Sequence, residues 1–346
     1  MTINIKFLAK TAPNQDPNLW LSLFPNRTPI IGNCHFHFDL NFRDYDWLVV
    51  YEGLPPLSDQ KKINRSEPLN CTQENTLLIT TEPSSIRIDG PHFLKQFGHV
   101  LTAKPPHLVK HPKQIRQTPP LRWFYGRPML EDDHNYLDLD TLNSQTEIKK
   151  TQDLSTVCSN KRMQHTLHAQ RYDCIMELKR CLGDELSLFG RGINPISNKA
   201  EAMNEFRYHI AIENHIEADH WTEKIADCFL AYCLPFYYGP PNISDYFPAD
   251  SIIPIDIFDI GGTEAIIRKS IANGEYEKRL PAIKKARQQV LDEYNLVNVI
   301  ANIIETNHQT ELPQTGKTIH GRHIFRKKYP VKASIDALHR LRFKNG

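Results

Sequence analysis

The segment Arg207–Pro241, RYHIAIENHIEADHWTEKIADCFLAYCLPFYYGPP, sets a Glu-Lys pair, Glu223 and Lys224, where a polar loop becomes an apolar helix. Thr222 stands in the N-cap position ahead of the apolar face Ile225, Phe229 and Leu230. The runs on either side, YHIAIEN and LPFYYG, read as strands, so this helix would start at the C-terminal end of a parallel sheet. Its first N–H groups lack partners and carry the positive end of the helix dipole, which together seat an anion, and Lys224 adds a full charge. An acid in a first helical turn suits the dipole on its own. Beside a bound diphosphate, however, the Glu223 carboxylate is tolerable only where it accepts hydrogen bonds from neutral hydroxyls, such as those of a ribose. The pair therefore points to a nucleotide diphosphate more than to free phosphate.

Other cations fall near strand ends. Lys161 and Arg162 follow LSTVCSN, Arg191 sits in FGRG, and Arg171 lies early in the helical stretch QHTLHAQRYDCIMELKRCLG. Cations converging on one crevice suit a diphosphate leaving group, whose developing charge they stabilise. Among the acids, Glu82 ends the apolar run in LLITTEPSSIR, and Glu52 does the same in VVYEGLPP. Asp138 and Asp140, in LDLDTL, have a spacing that can hold a divalent metal with a sugar diphosphate, whereas His35 and His37 would share a strand face with no further ligands grouped around them. Trp123, Phe124 and Tyr125 are of a type that can stack on a sugar, with core packing the favoured reading.

The elements that must position these groups follow from periodicity. WLVVYEG, TLLITTEP and GHVLTAKP are apolar, β-branched runs closed by turn residues, as buried parallel strands are, with a short helix expected in SSIRIDGPHFLKQF. After a polar stretch at 132–153, read as the interdomain linker, strands and helices alternate from LSTVCSN to SIIPIDIFD in the manner of a doubly wound sheet. The expected organisation is an N-terminal Rossmann-like domain at 1–140, a second at 141–310 and a basic tail at 311–346. At 346 residues, 40% hydrophobic and 24% charged, the chain has the composition of a globular protein larger than one core usually serves. Its seven cysteines are odd in number, scattered and never spaced C-x-x-C, so they are expected as reduced thiols. With neither a signal-peptide pattern nor an apolar run of membrane-spanning length, a cytoplasmic location is expected. From Lys317 onward there are nine Lys/Arg and one Asp, which allows a solvated helix or peripheral contact with an anionic inner membrane face. No stacking platform or reading motif accompanies the charge, so nucleic acid is not expected as a partner.

The ordered pattern IAIENHIEADHWTEKIADCFLAYCLPFYYGPPNISDYFP resembles the donor-binding signature of glycosyltransferase family 10, the α-1,3/4-fucosyltransferases. That family's pattern is a strand ending F-E-N, a loop, Y-x-T-E-K, an apolar helix, and a strand ending P-x-x-x-G-x-P. The resemblance implies the GT-B architecture, an α/β fold of two Rossmann-like domains facing a cleft. It also implies inverting transfer of fucose from GDP-fucose to a glycan hydroxyl, in an α-1,3 linkage, with no metal strictly required. By position, Glu223 would hold the ribose, Lys224 and Arg171 the diphosphate, and Glu213 and Asn214 the donor pocket. His220 stands where the family often has Tyr, and Ile212 where Phe is common. The family's carboxylate base, after an N-terminal-domain strand in F-E-S-P, corresponds to Glu82, with Glu52 as its rival. Transfer of a different nucleotide-linked sugar, or a catalytically silent sugar-binding module, remain the alternatives.

Overall fold

The computed structural model describes residues 2–10, 17–56, 65–128, 136–163, 166–310 and 316–344. The chain divides into two units, one formed by 1–120 with 296–346 and the other by 121–295. The strands of the first unit are β1 (Ile3–Ala9), β2 (Ile30–Ile31), β3 (Cys34–His37), β4 (Trp47–Tyr51), β5 (Ser66–Pro68), β6 (Thr76–Ile79), β7 (His99–Thr102) and β8 (Gln114–Arg116). The second unit holds β9 (Gln152–Val157), β10 (Leu186–Phe189), β11 (Phe206–Ile212), β12 (Leu234–Tyr238) and β13 (Ile253–Pro254), and β14 (Thr318–His320) returns to the first.

In the first unit the strand order is β2-β3-β1-β4-β6-β7-β8, parallel throughout except for the β2–β3 pair. β4, β6 and β7 are buried along their whole length, as their unbroken apolar runs require. β1, a central strand, has no such run because Asn4 and Lys6 interrupt it. Lys6 is nonetheless fully buried, its ammonium 2.6 Å from Glu67, which also pairs with Arg65 at 2.8 Å. A buried ion cluster thus replaces an apolar contact and hides a core strand from its hydropathy.

Two boundaries differ from expectation. The first unit ends at 120, not 140, because the following residues are tied into the second: the backbone N–H groups of Phe124 and Tyr125 both donate to Asp227, and Tyr232 donates to the Gln145 carbonyl at 2.7 Å. Of the stretch read as a linker, 132–135 lie outside the described residues; the rest contains a helix, Leu139–Ser144, whose N-cap Asp138 accepts from Thr141 N. Nor is the C-terminal stretch a free tail. The Leu296–Asn307 helix approaches β3 and its neighbouring turn, where Asn33 N donates to Glu305 at 2.9 Å. β14 pairs antiparallel with β5, and Asp336 of the Pro330–Lys344 helix accepts from the N–H groups of His92 and Phe93, capping the Pro91–Leu94 helix.

The second sheet runs β10-β9-β11-β12-β13, all parallel. In chain order this is 2-1-3-4-5, a doubly wound sheet whose direction of winding reverses between β9 and β11. At that reversal the connections leave on opposite faces, and a crevice opens beyond the strands' C-terminal ends. Both units are α/β and Rossmann-like, as expected. All seven cysteines are free thiols, six of them buried.

Candidate functional site

A cavity of about 510 Å³ lies at this switch point. It takes Thr156 and Val157 from the end of β9, Ile210 to Ile212 from β11, and Gly190 and Arg191 from the loop after β10. Gly190 has φ +138°, and a Cβ there would sit 1.9 Å from the Cys158 carbonyl oxygen, so only glycine lets the loop close against β9.

The Glu223–Leu230 helix starts at the cavity, and the chain before it is fixed by one carboxylate. Glu213, directly after β11 and almost fully buried, accepts from Thr222 N at 2.9 Å, from Thr222 Oγ1 at 2.6 Å and from the Tyr237 hydroxyl at 3.1 Å. Thr222 in turn caps the helix, accepting from Lys224 N, and its hydroxyl also receives Lys224 Nζ at 3.0 Å. Lys224 Nζ lies 3.2 Å from Glu223 and 3.3 Å from Glu213. Burial acts to lower the Lys224 pKa, but the two carboxylates outweigh it and raise the value above its ordinary 10.5. Burial likewise acts to raise Glu223, yet the charges of Lys224 and Lys199 bring it down to about 2. Both members of the pair are therefore ionised at neutral pH, and both line the cavity.

Arg171 and Asn214 are brought together by the backbone. Leu167 N, at the start of the His168–Leu182 helix, donates to the Asn214 carbonyl at 2.8 Å, which sets Arg171 one turn on, facing the same cavity. Arg171 is 9% exposed, and its Nε has no hydrogen-bond partner; the Asn214 side-chain Oδ1 is also buried without one. A buried polar atom left unpaired costs about 1–3 kcal/mol, so a donor and an acceptor orphaned in one cavity mark a place built for a polar guest. Lys161 and Arg191 line the same space as exposed cations. His168, also in the lining, has its pKa lowered by burial and then by the charges of Arg171, Lys224 and Lys161, so it is neutral at pH 7.

Of the residues expected at the site, Arg171, Asn214, Glu223, Lys224, Lys161 and Arg191 line the cavity. Glu213 and Thr222 do not line it; they hold the helix start beneath it. His220 is not part of it either: it is buried, with its ring 5.8 Å from that of His215.

Two further residues, Lys199 and Phe124, line the cavity. Lys199 lies at the start of a short 3-10 turn, 2.6 Å from the fully buried Asp227, whose other oxygen takes the Phe124 and Tyr125 N–H groups at 2.9 Å. Phe124 faces the cavity, while Trp123 and Tyr125 pack in the core as expected. The lone acid in the apolar run IADCFLAYC is the one clue, since an acid buried in an apolar helix needs a cation.

In the first unit, Glu82 follows β6 and is half-buried, making no hydrogen bond to a described residue. Glu52 follows β4 in a left-handed conformation, φ +64°, and its carboxylate accepts from the Thr81 hydroxyl. His35 and His37 do share a face of β3, where His37 stacks on Phe42 at 3.8 Å. No group of three His, Cys, Asp or Glu among the described residues could hold a metal ion.

A doubly wound sheet with a helix start, orphaned polar atoms and several cations at its switch point is the arrangement in which open α/β sheets seat anionic ligands. Residues 148–265, inside this unit, match the family model of glycosyltransferase family 10 (fucosyltransferase), C-terminal part. The resemblance read from the sequence is thus matched over these residues, within the unit that carries the cavity. Among known proteins, the chain is 34% identical over 73 residues to the mouse 4-galactosyl-N-acetylglucosaminide 3-alpha-L-fucosyltransferase 9, covering 20% of each. It is 20% identical over 255 residues to the Helicobacter pylori alpha-(1,3)-fucosyltransferase FucT, covering 74% of this chain and 42% of that one. The chain thus spans about a fifth of the length of the mouse relative and under half of the bacterial one. A crystal structure of an alpha1,3-fucosyltransferase with GDP-fucose superposes over 81% of both chains at 16% identity with a TM-score of 0.46.

Proposed function

We propose that this protein is an inverting glycosyltransferase that moves fucose from GDP-fucose to a hydroxyl of a glycan acceptor, forming an α-1,3 linkage. The observation that carries the reading is the switch-point cavity, where Arg171 Nε and Asn214 Oδ1 are unpaired beside the ionised Glu223–Lys224 pair. Glu223 accepts the ribose hydroxyls, Lys224 and Arg171 meet the diphosphate, and Lys161, Lys199 and Arg191 add positive potential. In the transfer step the acceptor oxygen forms a bond to the fucose anomeric carbon as the bond from that carbon to the diphosphate oxygen breaks. The acceptor proton passes to a carboxylate, and the charge growing on the β-phosphate is met by fixed cations. Glu82 is the candidate base, since no described residue occupies its carboxylate, whereas Glu52 is engaged with Thr81. The cations supply the charge stabilisation for departure, so no metal cofactor is part of the proposal.

The test is transfer of labelled fucose from GDP-fucose to a glycan array by the whole chain. Transfer from a UDP-sugar in its place would refute the donor. If Glu82→Gln transferred fucose at the wild-type rate, the base assignment would be wrong; binding of GDP-fucose with no transfer by the wild type to any acceptor would favour the silent module.

We further propose peripheral contact with an anionic membrane through the Pro330–Lys344 helix. Val331, Leu338 and Leu341 are 73%, 66% and 61% exposed on it, at helical spacing and among basic residues. No described helix is long and apolar enough to cross a membrane. Co-sedimentation with vesicles containing phosphatidylserine, lost on Leu338→Glu, supports contact; equal recovery with neutral vesicles refutes it.

A further inference from the structure

A second cavity, of about 360 Å³, lies in the first unit at the C-terminal ends of β1 and β4. This is that sheet's own switch point, because the chain runs from β1 outward to β3 and then returns to the other side at β4. Its lining is divided by chemistry. Val50, Phe93 and Ile319 are apolar core residues, whereas Lys10, Arg87, Arg322 and Arg326 are cations.

These cations are poorly matched. Asp89 is the carboxylate directly among them, and Arg322 takes both of its oxygens, Nε to Oδ1 at 2.6 Å and Nη2 to Oδ2 at 2.7 Å. The third nitrogen of Arg322 donates to the Glu52 carbonyl at 2.7 Å. That approach needs Gly53, at φ +157°, where a Cβ would lie 3.0 Å from Arg322 Nη1. Arg87 is left 3.6 Å from Asp89, beyond hydrogen-bond range, with its Nε and Nη2 buried and unpartnered. Lys10 and Arg326 form no ion pair with any described residue. Glu52 and Glu82 act on Arg87 through space, but neither lines the cavity, and Glu52 is bonded to Thr81. Burial, with the charges of Arg340 and Arg322, holds the Arg326 pKa below its ordinary value, as expected in a region short of anions.

Arg87, with two nitrogens buried and unpartnered, is costly unless a counter-anion joins it, and half-buried Lys10 and exposed Arg326 add positive charge around the same space. A free inorganic ion would satisfy the charge and leave the apolar lining unused. An acidic sugar uses both, its carboxylate on the cations and the C–H face of its ring on the apolar side chains. We propose that this cavity is a subsite for an acidic sugar residue, bound through its carboxylate by Arg87, Lys10 and Arg326. The inference rests on the fucosyltransferase reading only in naming that sugar part of the acceptor. Glu82, five residues before Arg87, directly precedes Pro83, whose carbonyl accepts from Arg87 N, so the candidate base and the anchor share one short stretch of chain.

The test is calorimetric titration of the whole chain, without donor, with glucuronate, N-acetylneuraminate, glucose, inorganic sulfate and inorganic phosphate. The acidic sugars are expected to bind saturably and glucose not, and the Lys10→Gln/Arg326→Gln double variant to bind them at least tenfold more weakly. Urea unfolding of the same variant reports its folding, and its midpoint is expected to match wild type. Sulfate or phosphate binding as tightly as the acidic sugars would mean an adventitious ion only and overturn the proposal. So would equal binding of glucose, absence of acidic-sugar binding, or full affinity in the double variant. Because no transfer is measured, failure here leaves the GDP-fucose reading standing, and failure of that reading leaves this binding to be measured.

Discussion

Arg171 offers a test in which binding and stability should move in opposite directions. It is 9% exposed with an unpartnered Nε, so the protein without ligand carries a buried donor whose hydrogen bond is missing. Replacing it by Met keeps the length and apolar stem but removes the charge and the donors. If Arg171 meets a diphosphate, the lost charge-assisted hydrogen bond is about 1.5–3 kcal/mol, a roughly 10- to 150-fold rise in the Kd for GDP. The same substitution relieves an unsatisfied buried group, a gain of about 1–3 kcal/mol set against the loss of side-chain fit. Unfolding of Arg171→Met in urea should therefore show unchanged or increased stability, while calorimetry shows weaker GDP binding. A GDP affinity within twofold of wild type would remove Arg171 from the site. Destabilisation above about 2 kcal/mol would instead assign it a structural role.

Further outcomes follow from other side chains. Glu223→Gln should weaken GDP binding by about tenfold while leaving the affinity for a dideoxyribose analogue of GDP little changed; equal losses with both ligands would mean that Glu223 does not hold the ribose. Asp227→Asn strands the Lys199 charge and should cost about 3–5 kcal/mol of stability in urea unfolding, and a loss under about 1 kcal/mol would contradict the pairing. Glu82→Gln should lower the transfer rate by about 10²- to 10⁴-fold with GDP affinity unchanged, read from steady-state kinetics beside calorimetry. Glu223, held at about 2 against an ordinary 4.5, contributes stability that is full above pH 4.5 and is lost as pH falls toward 2. The acid limb of a urea-stability profile should accordingly be shallower in Glu223→Gln than in wild type across that window.

Much of the second unit was legible because its signals are local. The N-cap Thr222, the pair that follows it and the strands on either side lie within one stretch of chain, and each strand end is punctuated by Gly, Pro or Asn. What escaped depends on pairing across long separations. β1 is a core strand disguised by Lys6, whose partner Glu67 lies far along the chain. Lys199 looks like a surface residue until Asp227 is placed beside it. The basic C-terminal stretch reads as a tail by composition, yet β14 and Asp336 dock it onto the first unit. His220 stands where the family's pattern has an aromatic, and its burial beside His215 is something residue spacing does not encode.

The central claim is that the β9–β11 switch point holds a guanosine diphosphate through Arg171, Glu223 and Lys224. Calorimetric titration of the whole chain with GDP and UDP tests it most directly. Saturable GDP binding, absent or at least tenfold weaker with UDP and weakened at least tenfold in Lys224→Met, is the predicted result. A preference for UDP, or GDP binding that survives Lys224→Met intact, would contradict it.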